Sequence, residues 1–255
     1  MFERGWRAVA TILSYLVWGV CSLLFCYLVY PATAWRIPGK QRQLHARALT
    51  RKGFRFFIDF MQWLGVWRYH VEGGERLRQP GRVIIANHPS FLDVVLLLGL
   101  TDNAVCIVKP ALLGVPLVSA PLRRCGHVIA DSPETVLENS IRVLTQGASL
   151  ILFPQGTRIR PGSPLRFHRS AARIALDAKA PLLPVYFRYR PLLLGKGERW
   201  YNIPPVRPWV DVFVGKEIHP TRQEGEPISR VARRLTRHLE SCFEAWERGN
   251  GNLGK

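Results

Sequence analysis

The chain opens on a long uncharged run. From Val9 to Tyr30 no charged residue interrupts the apolar pattern, and Pro31 closes it. A helix of that length, rising about 1.5 Å per residue, reaches across a hydrocarbon core of about 30 Å. Arg4 and Arg7 ahead of the run and Ala32-Thr33-Ala34 behind it also have the order of a secretory signal. The apolar region of such a signal is shorter, however, at about 7–15 residues. A retained membrane anchor is therefore the expectation. A second apolar stretch, Phe54 to Trp67, is broken by Arg55 and Asp59. It is too short and too charged to span, and predicts an amphipathic helix lying in the interface. The two segments equally allow a hairpin that dips into one leaflet.

Beyond the Gly73-Gly74 turn, short apolar runs alternate with stretches of helical period. The runs predict strands over Val66–Val71, Arg82–Ala86, Ala104–Val108, His127–Ala130, Ser149–Phe153, Leu182–Arg188 and Val210–Val214. Helices are expected over Phe91–Leu100, Thr135–Gln146, Ser170–Ala178 and Ile228–Arg248. Leu150-Ile151-Leu152-Phe153 is apolar without alternation, as befits a sheet covered on both faces. Strands interleaved with helices predict a single α/β domain over 69–255, with a mixed, largely parallel sheet flanked by helices. Residues 1–68 form the preceding membrane-associated helices. The last helix sets Ile228, Val231, Leu235, Leu239, Cys242, Phe243 and Trp246 on one side, and Arg230, Arg233, Arg234 and Arg237 elsewhere. That pattern predicts an ordinary core-packing helix with a solvated basic face, with docking on a membrane as the alternative.

Charge sharpens the picture. The 36 Lys+Arg against 18 Asp+Glu leave a formal net charge of +18, which calls for an anionic partner. No nucleic-acid-binding module is visible. The densest basic cluster is Arg36, Lys40, Arg42, Arg47, Arg51, Lys52 and Arg55; it directly follows the apolar run and contains no acid. The expected partner is thus an anionic leaflet, attracted by about 1 kcal/mol per basic residue near the surface. If the run spans, the same cluster places the body on the cytoplasmic side. Cys21, Cys26, Cys106, Cys125 and Cys242 are scattered and odd in number. They fit reduced, mostly buried thiols better than a disulfide framework or a zinc site.

Two strand ends carry chemistry. Arg82 to Ala86 reads as a buried strand, and Pro89-Ser90 as the opening turn of a helix. His88 then stands at a strand's carboxyl end, where open α/β sheets bind ligands. Asp93, one turn into the helix, can reach back to the imidazole and fix its tautomer, so that the other ring nitrogen can accept a proton. A structural histidine bonded to a helix would show the same spacing. The sequence contains no Gly-x-Ser-x-Gly elbow and no cysteine close to His88, so such a base would act on a substrate hydroxyl directly. At the second strand end, Phe153-Pro154-Gln155-Gly156-Thr157-Arg158 is a glycine-containing turn that presents a cation, suited to a phosphate.

These motifs, in this order, resemble the glycerolipid acyltransferase family typified by lysophosphatidic acid acyltransferases. The family's Asn-His-x4-Asp is matched by Asn87 to Asp93, its Phe-Pro-Glu-Gly-Thr-Arg by Phe153 to Arg158, and its later Pro-Val strand by Leu182-Leu183-Pro184-Val185. Between them, Val108-Lys109-Pro110 and Gly126-His127-Val128-Ile129 fall where the family has a lysine-containing turn and a glycine-led block. The resemblance implies that His88 is the general base and Asp93 its orienting partner. Substrate binding would fall to Asn87, Ser90, Lys109, Phe153, Pro154, Gln155, Gly156, Thr157 and Arg158, with Arg158 facing a phosphate. It implies transfer of an acyl group from acyl-CoA or acyl-carrier protein to a lyso-lipid hydroxyl, most simply 1-acylglycerol 3-phosphate, without metal or bound cofactor. Backbone N–H groups would stabilise the oxyanion.

Two positions depart from the family pattern. Gln155 stands where the family has Glu, and Ser132 where its second block ends in an arginine expected to contact the acceptor phosphate. Either Arg123, Arg124 or Arg169 replaces that cation, or the acceptor is another lipid, such as an ornithine-type or aryl-polyene lipid. A silent lipid-binding protein is the remaining alternative.

Overall fold

In the computed structural model, residues 2–159, 163, 165–199 and 201–249 are described. Seven strands form one sheet in the order β1-β7-β6-β2-β5-β3-β4. They are β1 (Arg68–Glu72), β2 (Val83–Ala86), β3 (Ala104–Val108), β4 (Val128–Ile129), β5 (Ser149–Leu152), β6 (Leu182–Arg190) and β7 (Trp209–Val214). The five strands from β6 to β4 run parallel, β7 is antiparallel to β6, and β1 is parallel to β7. β2 and β5, wholly buried, lie side by side at the centre. The expected mixed, largely parallel sheet is what forms.

Helices cover both faces. The first core cluster packs the sheet against α3 (Gly39–Trp63) and α4 (Leu92–Leu100), through Phe57, Ile58, Met61, Leu96 and Leu97. The second packs it against α6 (Pro133–Thr145), α7 (Ser170–Ala178) and α8 (Ile228–Glu247). On α8, Val231, Leu235, Leu239, Phe243 and Trp246 are buried while Arg230, Arg233, Arg234 and Arg237 face outward, as the periodicity requires. Gly99 on α4 permits a close crossing with α3: a Cβ there would stand 3.1 Å from the Arg55 amide nitrogen. Cys26, Cys106 and Cys125 are buried, Cys242 is half-buried and Cys21 is exposed, all as free thiols.

The N-terminal helix runs through α1 (Phe2–Leu24), a π turn at Phe25–Val29 and α2 (Tyr30–Ala34). Among the described residues this is the one helix long and apolar enough to cross a membrane, and only 11% of its apolar window is buried. Val9, Ile12, Leu16, Val20, Leu24 and Leu28 point outward without protein cover. Yet both ends are tied to the body. Trp6 Nε1 donates to the Leu64 carbonyl at 2.9 Å, and Arg7 Nη2 to that of Pro205 at 2.6 Å. At the far end Arg124 donates to the Cys26 carbonyl at 2.6 Å and lies 4.5 Å from the Tyr30 ring centroid.

Three expectations change. The helix expected over Phe54–Trp67 begins at Gly39 and ends at Trp63, so most of the basic cluster is helical too. The Lys40 side chain lies outside the described ones. Nor is that helix simply interfacial: Phe57, Ile58 and Met61 are buried in the core, and Phe56 and Trp63 remain exposed. Finally, α5 (Pro116–Cys125) occupies a stretch where no helix was expected, because Pro121 lies inside it and breaks the usual signal.

His127 gives the fold a pH dependence. Its Nδ1 accepts the Cys106 N–H at 2.8 Å, so the ring sits in the neutral form. Burial, with the Arg47 charge, pushes the imidazole down to about 4. The unfolded chain, titrating near 6.5, binds more protons between those values, and stability falls as pH drops through that window. Denaturant unfolding at pH 7.5 and 5.0 should show a loss of about 1–2 kcal/mol, the ring edge being partly solvated. His127→Asn should remove most of that dependence.

Candidate active site

The parallel strands β2, β5 and β3 end side by side, and their carboxyl ends carry His88, the Phe153–Arg158 turn and Lys109. The chain leaves β2 through Asn87 and His88 and enters α4 within a few residues. Asp93, on the first turn of that helix, therefore comes back beneath the imidazole. His88 Nδ1 and Asp93 Oδ2 are 3.0 Å apart. Asp93 Oδ2 also accepts the Ser90 N–H at 2.8 Å, and Oδ1 accepts the Tyr189 hydroxyl at 2.5 Å.

Asp93 is 0% exposed. Burial raises its pKa above the ordinary carboxylate range, while donors from His88, Tyr189 and Ser90 oppose the rise. With three donors aimed at two oxygens, the ionised carboxylate is the form that satisfies the geometry. Nδ1 of His88 is then the protonated nitrogen, and Nε2 is left as the acceptor. The imidazole stacks on Phe153 with ring centroids 4.1 Å apart and planes 21° from parallel. A bond on one edge and a ring on one face fix the imidazole, whose side chain stays 16% exposed. Among the described residues no hydroxyl or thiol is hydrogen-bonded to His88.

Asn87 and Ser90 are only 4% and 0% exposed and spend their polar atoms on main chain. Asn87 exchanges both hydrogen bonds with Phe187, at 2.9 and 2.7 Å, which locks β2 to β6. Ser90 Oγ donates to the Leu193 carbonyl at 2.6 Å and accepts the Leu92 N–H at 3.1 Å. Both therefore act here as framework for the His88–Asp93 segment rather than as groups open to a substrate.

The Phe153–Arg158 turn folds over the same strand end. Gly156 takes a φ of 68°, a left-handed conformation that side chains disfavour, and Gly156 and Thr157 are exposed. Pro154 is buried, and its carbonyl accepts the His168 N–H at 2.9 Å. The Ile159 N–H donates to the His88 carbonyl at 2.9 Å, closing the turn against His88. Arg158 Nη1 donates to the Leu194 and Gly195 carbonyls, each at 3.1 Å, which fixes the guanidinium; its other nitrogens make no hydrogen bond among the described residues. Gln155 holds both amide atoms enclosed, with neither hydrogen-bonded among the described residues. Lys109 is exposed at the end of β3.

The Ser132 hydroxyl caps α6 by accepting the Thr135 N–H at 3.2 Å. Of the possible substitute cations, Arg124 is committed to Cys26 and Tyr30, while Arg123 and Arg169 are exposed.

Tyr189 and the loop after β6 also reach the site, and neither was expected from the sequence. Tyr189 is 96 residues from Asp93, and no local period announces it. Burial and the Asp93 charge raise the Tyr189 pKa far above the usual phenol value, which keeps it a donor. Leu194, at a left-handed φ of 56°, turns its carbonyl to both Phe91 and Arg158. Tyr189→Phe leaves one carboxylate oxygen without its donor. We expect kcat to fall about tenfold with little change in KM, as read from steady-state kinetics on protein of unchanged secondary structure.

Comparison with known proteins adds the last layer. A protein from Pseudomonas aeruginosa named 1-acyl-sn-glycerol-3-phosphate acyltransferase is 26% identical over 94% of this chain and 89% of its own length. The alpha form from Mus musculus is 30% identical over 60% of this chain and 56% of its own length. The crystal structure of the 1-acyl-sn-glycerophosphate (LPA) acyltransferase from Thermotoga maritima superposes with a TM-score of 0.61, covering 91% of this chain and 94% of that one at 22% identity, which establishes the fold. The family described as Acyltransferase matches residues 68–188, from the first strand through His88, Asp93 and the Arg158 turn. That stretch holds the His88–Asp93 pair and the cationic turn, so the chain is similar to the acyltransferase family across the part that carries its candidate chemistry.

Proposed function

We propose that this enzyme transfers an acyl group from a thioester donor to the free hydroxyl of 1-acylglycerol 3-phosphate, a step of phospholipid biosynthesis. The observation that carries this reading is His88: a fixed imidazole at the carboxyl ends of β2 and β5, with Asp93 on one nitrogen and no protein nucleophile bonded to it among the described residues. The acceptor hydroxyl gives its proton to Nε2 as its oxygen attacks the thioester carbon. Main-chain N–H groups of the Gln155–Arg158 turn hold the oxyanion, the C–S bond breaks, and the thiolate leaves with the proton from His88. Asp93 stabilises the imidazolium throughout. Lys109 and the outer edge of Arg158 hold the acceptor phosphate.

The N-terminal helix supports a membrane-resident substrate. Because Trp6 and Arg7 pin one end to the body and Arg124 pins the other, its apolar outer face lies along the molecule. Immersion in one leaflet fits this better than a crossing, with the basic α3 next to anionic headgroups on the cytoplasmic side.

The test uses the full chain in vesicles with labelled acyl-CoA or acyl-carrier protein and separate acceptors: lysophosphatidic acid, a lyso-ornithine lipid and lysophosphatidylcholine. The reading requires labelled phosphatidic acid as the main product. Turnover confined to a phosphate-free acceptor would assign the site to a specialised lipid instead.

A further inference from the structure

A second cationic site lies outside the base and its turn. Phe167, Arg169, Arg233, Thr236, Arg237 and Glu240 line an open cleft of about 360 Å³ between the start of α7 and the outer face of α8. That volume lies within the range of small-ligand sites. Two other arginines on these helices are paired, Arg173 with Asp177 and Arg234 with Glu226. Arg169, Arg233 and Arg237 have no such partner among the described residues, although they share one cleft. Glu240, the one acid there, holds the loop by accepting the Phe167 N–H at 2.8 Å. Three guanidinium groups around a concavity, with a single acid already engaged, favour a multiply charged phosphate-bearing ligand.

The cleft's loop also touches the catalytic turn. His168, between Phe167 and Arg169, donates its N–H to the Pro154 carbonyl at 2.9 Å, and Pro154 follows the Phe153 ring that stacks on His88. A ligand anchored by its phosphates in the cleft therefore lies one short loop from the base. We propose that this cleft holds the nucleotide phosphates of an acyl-CoA donor, separate from the acceptor-phosphate contacts of Lys109 and Arg158. The assignment rests on the acyltransferase reading. A small concave site fits a nucleotide end better than the broad face of an acidic carrier protein.

Calorimetric titration with unacylated coenzyme A tests binding without any turnover, and steady-state kinetics follow on the same full-length preparations. In the Arg233→Ala/Arg237→Ala double variant, coenzyme A affinity should fall by roughly tenfold or more. The KM for acyl-CoA should rise in step, while kcat and the acceptor KM move less than about twofold. Arg230→Ala, on the same helix outside the cleft, should leave donor affinity and donor KM unchanged. An active enzyme whose coenzyme A affinity and donor KM survive the double substitution would overturn the assignment. So would a defect confined to anionic-vesicle binding, or to acyl-carrier protein as donor. If wild-type protein binds coenzyme A through these arginines yet acylates no lyso-lipid, the cleft stands and the acyltransferase reading fails.

Discussion

Replacing His88 by alanine should lower acyl transfer by at least about 10³-fold, while the protein still binds vesicles and keeps its secondary structure. The size follows from what the imidazole supplies: a base whose Nε2 is the one ring nitrogen free to take a proton, held by Asp93 and stacked on Phe153. The fold should tolerate the loss, because His88 is partly exposed and its backbone carbonyl still receives the Ile159 N–H. Product formation from labelled donor, normalised to vesicle-bound protein, is the measurement. Activity within tenfold of wild type would remove His88 from the role of base.

Asp93→Asn should cost about 10³–10⁴-fold in kcat, by a different route. Asparagine keeps the size but replaces one acceptor oxygen with an NH2 donor, at a site that is 0% exposed and already surrounded by donors from His88, Ser90 and Tyr189. Turned toward Tyr189, the NH2 donates to a phenol that must now accept; turned toward His88, it also meets the Ser90 N–H. If the NH2 faces His88, the ring must place its proton on Nε2 and can no longer accept one there. Stability should fall as well, by about 1–3 kcal/mol for the unsatisfied buried groups. Denaturant titration beside the kinetics separates the effects, because Tyr189→Phe removes one donor without adding another. A kcat for Asp93→Asn no lower than that of Tyr189→Phe would contradict the tautomer argument.

Some of this was legible along the chain and some was not, for physical reasons. β2 and β5 are buried on both faces, so Val83–Ala86 and Ser149–Leu152 appear as continuous apolar runs that need no partner to be recognised. The His88–Asp93 contact could be expected because both lie within one strand-to-helix passage, although a structural histidine would show the same spacing. What escaped depends on contacts between distant segments. Asn87 looks like a substrate ligand in sequence, but its amide closes on the Phe187 main chain, 100 positions away. Tyr189 joins the site only because β6 lies beside β2. Arg233 and Arg237 read as a solvated helix face until the Phe167–Arg169 loop folds against them. The start of α3 was hidden by its dense positive charge, which the pattern of apolar residues does not weigh.

The central claim is that the acyl group passes straight from thioester to acceptor oxygen, with His88 taking the proton and no protein atom carrying the acyl group. A rapid-quench single turnover with labelled acyl-CoA, excess enzyme in vesicles and 1-acylglycerol 3-phosphate tests it most directly. The account predicts label moving from the thioester pool to the lipid product with none bound to protein at any time. A burst of protein-bound label that chases into lipid would contradict it.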